Sequence, residues 1–427
     1  MRTKEMLSCQ DIRQLSIYIH IPFCVRKCYY CDFLSGQGTA KEIQDYVDAL
    51  VREIKYISKD YKNYRVDTVF IGGGTPSLLS STQILQIGKA LHDNLNMEEV
   101  KEFTLEMNPG THKRFEAYRS IGINRLSIGL QSAQNQELKA LGRIHTYEEF
   151  LATYEIARAA GFDNINIDLM SALPAQDVAT YEDTLVKICE LQPEHISAYS
   201  LIIEEGTPFW ERYGEEADNL VNQSELYGMQ ESKKLDEKTR IVEKVEKIKY
   251  PSLPDEDTER GMYEMTENIL QQYGYHRYEI SNYSKVGKEC IHNTYNWQRK
   301  NYLGFGIGSA SLVGEKRFRN GIHRQRYIEN WLGKSPENFY QEEDTLSKEE
   351  QMEEFMFLGL RLIKGISIEQ FQMQFQCTIW DVFGEVLKRL EKEKLLIIDK
   401  ESIRLTPYGI DISNYVLSQF LLVTGTL

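Results

Sequence analysis

A chain of 427 residues with a formal net charge of -14 has material for one large domain and a smaller one, and its Lys and Arg form no long run that would track a nucleic-acid backbone. Seven cysteines, an odd number in a chain this long, argue against a disulfide framework. Residues 1–15 carry Arg2, Lys4, Glu5, Asp11 and Arg13 with no apolar segment typical of a secretion signal, and no apolar run approaches membrane-spanning length; a cytoplasmic chain without nucleic-acid or stable membrane partners is expected.

In chain order, six short segments rich in Ile, Leu, Phe and Val read as buried strands: 16–23, 67–72, 102–107, 125–131, 164–170 and 195–203. Between the first two, Ile43, Tyr46, Val47, Leu50, Ile54 and Ile57 keep one apolar helical face, with the charges opposite. Similar periodicity fills 80–95, 111–120, 146–160 and 177–191. Strands alternating with helices imply a parallel sheet with right-handed crossovers, and six such units suit an open barrel better than a closed eight-stranded one. The expected fold is therefore α/β, a partial (β/α)6 barrel of the TIM type.

The texture changes after the sixth strand. Residues 214–260 are densely charged and read as a surface insertion or linker, and 261–325 as an extension of the barrel, aromatic and glycine-rich over 275–313. Residues 326–427 read as a small separate domain, with helices near 347–363, 367–375 and 378–393, a hairpin at 395–398 and 402–405, and a last helix. That order suggests a winged helix, but without a basic recognition face a packing or lid module is favoured over DNA binding.

Sites in parallel barrels lie where strands end and loops begin. Those ends hold the Cys24 loop, Gly72-Gly73-Gly74-Thr75-Pro76, Glu106 with Asn108-Pro109, Gln131-Ser132 and Asp168. Directly after the first strand, Cys24, Cys28 and Cys31 form a C-x3-C-x2-C loop, which lets three thiolates converge on one iron–sulfur cubane. A structural zinc ion would want a fourth ligand at suitable spacing; His20, Asp32 and Cys9 are poorly placed for it. Three protein ligands leave one iron free, and catalysis at a metal needs an open position.

The run from Tyr18 to Phe33 resembles the radical S-adenosylmethionine (SAM) signature, and its wording is similar to the HemN/HemW group of that superfamily. The resemblance implies that Cys24, Cys28 and Cys31 hold a [4Fe–4S] cluster, that SAM chelates the open iron, and that the reduced cluster cleaves SAM to a 5′-deoxyadenosyl radical. It implies a reductant such as flavodoxin or ferredoxin. Residue by residue, Tyr18 and Tyr30 match positions against SAM or the cluster, and Gly73, Gly74 and Thr75 match the glycine motif that meets the amino end of SAM. Glu106, Gln131, Arg143 and Asp168 match further SAM-contacting positions. Carboxylates suit ribose hydroxyls, and an arginine suits the SAM carboxylate.

Two branches of the family and a third possibility compete. One branch is the oxygen-independent coproporphyrinogen III dehydrogenase, an oxidative decarboxylase of porphyrin synthesis. The other is the HemW-type haem chaperone, which binds haem and passes it to an acceptor protein. The third possibility is a radical SAM enzyme with another substrate. The dehydrogenases carry a further cysteine where this chain has Phe33, and a longer N-terminal extension than the residues before Cys24. Leu253-Pro254-Asp255-Glu256-Asp257, Tyr278-Glu279-Ile280-Ser281-Asn282-Tyr283 and Cys290-Ile291-His292-Asn293 resemble the HemW branch, including the start of its HNxxYW motif. The resemblance thus implies haem as ligand and His292 as the haem-linked residue, imidazole being the usual proximal ligand of haem iron. There are departures. Asn296-Trp297 stands where the motif expects Tyr-Trp, and Gly308-Ser309-Ala310-Ser311 lacks the histidine of the family's Gly-Ala-His stretch. The aromatic 273–305 segment suits a flat ligand and suits packing equally.

Overall fold

Hydrophobic strands whose alternate residues are polar form the wall of this molecule, and the helices between them cover its outside. The computed structural model describes residues 13–110, 114–214 and 250–422. Most of the charged 214–260 segment, and Cys9, lie outside the described residues. The wall is built from β1 (Arg13–Ile21), β2 (Tyr64–Gly73), β3 (Glu102–Met107), β4 (Arg125–Gln131), β5 (Ile165–Ser171) and β6 (His195–Ser200), each paired in parallel with the next. The sixth strand ends at Ser200, short of the expected 203. Helices Ala40–Ile57, Ser81–Asn94, Phe115–Ser120, Tyr147–Ala159 and Val178–Glu190 supply the crossovers. A short helix at Asn135–Ala140, which the periodicity does not announce, precedes the fourth of these.

The sheet does not stop at six strands. β7 (His276–Glu279) and β8 (Asn282–Ser284) form a hairpin antiparallel to β6, and β9 (Tyr302–Phe305) joins β1 in parallel. Beyond it run β10 (Ala310–Val313), β11 (Lys316–Asn320) and β12 (Tyr340–Thr345). The order is β12-β11-β10-β9-β1-β2-β3-β4-β5-β6-β8-β7, with β12 and β7 outermost and not paired to each other, so the barrel is open. The aromatic segment of 273–305 is largely consumed here: Tyr275, Tyr283 and Phe305 are buried in the barrel core.

Residues 352–420 close a second hydrophobic core around Met356, Phe371, Phe383, Leu387 and Ile403. Its helices Lys348–Gly359, Ile368–Phe375 and Ile379–Lys392 precede the Leu396–Ile398/Ser402–Leu405 hairpin, the order of a winged helix. Two short helices, Pro407–Asp411 and Ser413–Ser418, replace the single final one expected. Arg299 and Arg260 tie this part to the barrel through Glu354 and Asp411, each at 2.7 Å.

The first crossover helix departs from its expected amphipathic division. Glu53 lies on its buried face, 1 % exposed. It accepts hydrogen bonds from the Tyr327 hydroxyl, the Gly306 N–H (2.8 Å) and Asn320 Nδ2 (2.6 Å), so three separate segments are pinned to this helix through one carboxylate. Burial pushes its pKa up to about 7, against the opposing pull of those donors. The folded state therefore binds this proton more tightly than the unfolded chain does. Its stabilising contribution is fully present below the unfolded carboxylate range and is lost as pH rises towards about 7. Between about pH 5 and about pH 8, Glu53→Gln is expected to lose on the order of 2–3 kcal/mol less stability than the unsubstituted chain. Thermal midpoints of both proteins at the two pH values check this; equal shifts would contradict it.

Candidate functional site

Side chains of a strand alternate between its faces, and the inward row of the barrel is polar. β1 contributes Ser16, Tyr18 and His20, and β2 contributes Thr68, Phe70 and Gly72, paired across in register. Glu102, Thr104 and Glu106 follow on β3, Arg125 and Ser127 on β4, Asn166 and Asp168 on β5, and His195, Ser197 and Tyr199 on β6. These residues line or underlie one cavity of about 620 Å³, whose lining includes Tyr18, Glu106, Asp168 and His292.

At the C-terminal ends of the strands, Cys24, Cys28 and Cys31 line a pocket of about 140 Å³ that shares Tyr30, Cys31, Glu106, Gln131 and Asp168 with the larger cavity. All three thiols are unpaired and half-buried. Backbone hydrogen bonds fix their loop to the glycine turn: Gly74 N–H donates to Ile21 O and Thr75 N–H to Phe23 O, both at 2.8 Å. Thr75 Oγ1 lies 3.5 Å from Cys24 Sγ, and Arg143 Nη1 3.6 Å from Cys28 Sγ. The close approach requires glycine. A Cβ on Gly74 would sit 2.6 Å from Phe23 O and 3.0 Å from Cys24 Sγ, and Gly73 holds φ +110° against the His20 ring.

The donor set fits a cluster. Three thiols converge on one pocket with two half-exposed cations, Arg26 and Lys27, on its lining, while crowding raises the last thiol: burial pushes Cys31 up to about 11, with Cys28 and Cys24 adding to it. Among the described residues no three His, Cys, Asp or Glu side chains are spaced to hold a single metal ion. A cubane instead takes each thiolate at a separate iron.

Glu106 accepts the Gly73 N–H at 3.0 Å, and burial together with the charge of Asp168 pushes its pKa up to about 8. Burial raises Asp168 as well, so two carboxyl groups face the same cavity, a pairing suited to hydroxyl-bearing ligands. Asp168 is steadied by Asn166 Nδ2 at 2.7 Å and Ser127 Oγ at 3.4 Å. Gln131 holds φ +81° where β4 bulges against β5. Such strain in a non-glycine residue clusters at functional sites.

All ten residues expected to meet a cofactor line one or other of these two spaces, and so do all three cysteines. Tyr18 lines only the deeper cavity, its hydroxyl 3.0 Å from His20 Nδ1. His292 is deeper still. Arg143 is engaged with Asn108 Oδ1 (2.8 Å) and Gly129 O besides Cys28, so it braces the thiol loop as well as facing the pocket.

The floor escaped sequence reasoning. Helix Ile291–Trp297 closes the barrel from below, and the carboxylate of Glu102 caps it, accepting from Ile291 N (2.9 Å), His292 N (3.0 Å) and Cys290 Sγ (3.3 Å). A carboxylate at a helix N-terminus is stabilising. The His292 ring is 4 % exposed, bonded through Nδ1 to Thr68 Oγ1 (2.9 Å) and 5.2 Å from the Phe70 ring. Burial, and then Arg125, push its pKa down to about 3, which keeps the imidazole neutral. Ser127, Asn166, Ser197 and Tyr199 also line the cavity. Their signal in the sequence is the polar residue at every second position of an otherwise apolar strand.

Comparison with known proteins matches residues 18–188 to the Radical SAM superfamily and residues 346–412 to the HemN C-terminal domain. The chain is 34% identical over 409 residues to the protein named Heme chaperone HemW of Lactococcus lactis, covering 95% of this chain and 97% of that one. It is 32% identical over 413 residues to the protein of the same name from Bacillus subtilis, covering 95% and 99%. Among solved structures, coproporphyrinogen III oxidase (HemN) of Escherichia coli, described as a radical SAM enzyme, superposes with a TM-score of 0.76 at 23% identity, over 96% of this chain and 90% of that one. That likeness is one of fold.

Proposed function

The chain belongs to the HemW family of radical SAM proteins, and from that premise we propose that it binds haem in its barrel and passes it to an acceptor protein. Membership of the superfamily implies a [4Fe–4S] cluster and SAM. Cys24, Cys28 and Cys31 would hold the cluster, which when bound supplies one-electron reduction of SAM. Gly73, Gly74 and Thr75 would meet the SAM amino end with their backbone. Glu106 and Asp168 would take its hydroxyls. Arg143, through its hydrogen bond to Cys28 Sγ, holds the loop in shape beside that pocket.

The observation that carries the haem reading is His292. It lines the cavity that opens from the thiol pocket, neutral, with Nδ1 engaged by Thr68. A hydrogen bond on one ring nitrogen orients the other for a metal, so Nε2 is the nitrogen available to haem iron. Phe33, exposed at the cavity mouth where the decarboxylases have a cysteine, disfavours the dehydrogenase alternative.

The test is an absorption titration of the full chain with haem. A saturable Soret shift is expected, and His292→Ala is expected to weaken binding at least about tenfold, the loss of an iron–imidazole bond. An unchanged titration of the variant would remove His292 from the role.

A further inference from the structure

The barrel floor carries a charged group whose hydrogen-bonding capacity is largely unspent. Arg125, the first residue of β4, is 2 % exposed, and its guanidinium lines the cavity of about 620 Å³. No acidic side chain among the described residues forms a salt bridge with it. Among the described residues its one hydrogen bond is from Nη1 to Thr104 Oγ1, at the limiting distance of 3.5 Å, and Nε has no partner.

The charges of Glu102 and Asp168 favour the guanidinium, but the hydrogen bonds of these neighbours go elsewhere. Both oxygens of Glu102 face the capped helix. Asp168 takes Asn166 and Ser127. The Asn166 carbonyl receives Ser197 Oγ at 3.1 Å and lies 2.6 Å from His195 Nδ1. A buried guanidinium with unspent donors is costly unless something completes it. Its planar fork matches a carboxylate with two parallel hydrogen bonds.

We propose that Arg125 is a carboxylate receptor on the barrel floor, gripping an acidic side chain of the tetrapyrrole; this rests on the haem reading above. SAM also carries a carboxylate, but the thiols and the glycine turn lie at the opposite ends of the strands from Arg125. The receptor therefore selects among tetrapyrroles by their acid groups, independently of the iron ligand.

The experiment compares haem with its dimethyl ester, which keeps the iron and the ring and lacks only the free acids. The unsubstituted full chain is expected to bind haem at least about tenfold more tightly than the ester. Arg125→Gln is expected to bring haem down to the ester's affinity while leaving the ester and SAM unchanged. Equal binding of haem and ester by the unsubstituted chain overturns the receptor and leaves the haem reading standing; it needs no variant, so misfolding of Arg125→Gln does not shield the proposal. Binding of neither overturns both. Loss of SAM binding in Arg125→Gln with haem unaffected overturns the receptor in favour of a SAM contact.

Discussion

Replacing Cys24, Cys28 and Cys31 together with alanine is expected to give a protein that stays colourless after anaerobic reconstitution, where the unsubstituted chain turns brown with about four irons. The effect should be all or none, because the three thiols are the pocket's sulfur donors and a cubane cannot be held without its thiolates. Folding should survive. The loop from Cys24 to Gly36 is half-buried to exposed, and none of the three cysteines belongs to the buried core, which Ile17, Ile19, Val69, Leu105 and Ile128 build below it. Iron analysis with far-ultraviolet circular dichroism separates the two effects. Iron retained in the triple variant would refute the assignment of the cluster.

Adding a single methyl group at Gly74 is the second large effect. The turn at 73–75 is joined to the strand end that bears Cys24 by two backbone hydrogen bonds at 2.8 Å, and a Cβ at Gly74 would stand 2.6 Å from Phe23 O, 2.9 Å from Phe23 N and 3.0 Å from Cys24 Sγ. Two of those atoms are backbone and the third is the thiol of the Cys24 loop, so none is the free end of a flexible side chain. Overpacking of this kind costs about 1–3 kcal/mol, here at the turn proposed to meet SAM beside the cluster. Gly74→Ala is thus expected to weaken SAM binding by about 10- to 100-fold and to lower iron retention. Gly36→Ala is the control within the same loop. Its Cβ would meet nothing within 4 Å, and it should behave as the unsubstituted chain. Calorimetric SAM titration and iron content report both variants. Normal SAM binding by Gly74→Ala would contradict the packing argument.

These effects fall on residues that could be read directly. The six inner strands are legible because their core-facing residues are mainly Ile, Leu, Val and Phe in short runs between helical stretches, and the thiol loop and glycine turn because spacing and strand ends locate them. The outer strands are not. HRYE at 276–279 and YQEEDT at 340–345 are charged outermost strands, and KRFRN at 316–320 is the charged strand next to one of them; charge on edge strands protects sheets from further pairing and hides such strands from hydropathy. Glu53 was misassigned to the exposed side because helical spacing gives position and not partners. Its partners Gly306, Asn320 and Tyr327 come from more than 250 residues downstream. The floor helix at Ile291–Trp297 was legible only as a motif. That it seals the barrel, with Glu102 as its cap and Arg125 beside it, depends on a return of the chain that no local pattern announces.

Haem and coproporphyrinogen III separate the proposed haem role from the decarboxylase alternative most directly. Reconstituted, reduced protein with SAM should be given haem in one sample and coproporphyrinogen III in another, following the Soret band and the release of carbon dioxide. The account predicts a saturable Soret change with haem and no carbon dioxide from coproporphyrinogen III. Carbon dioxide release, with haem leaving the spectrum unchanged, would contradict it.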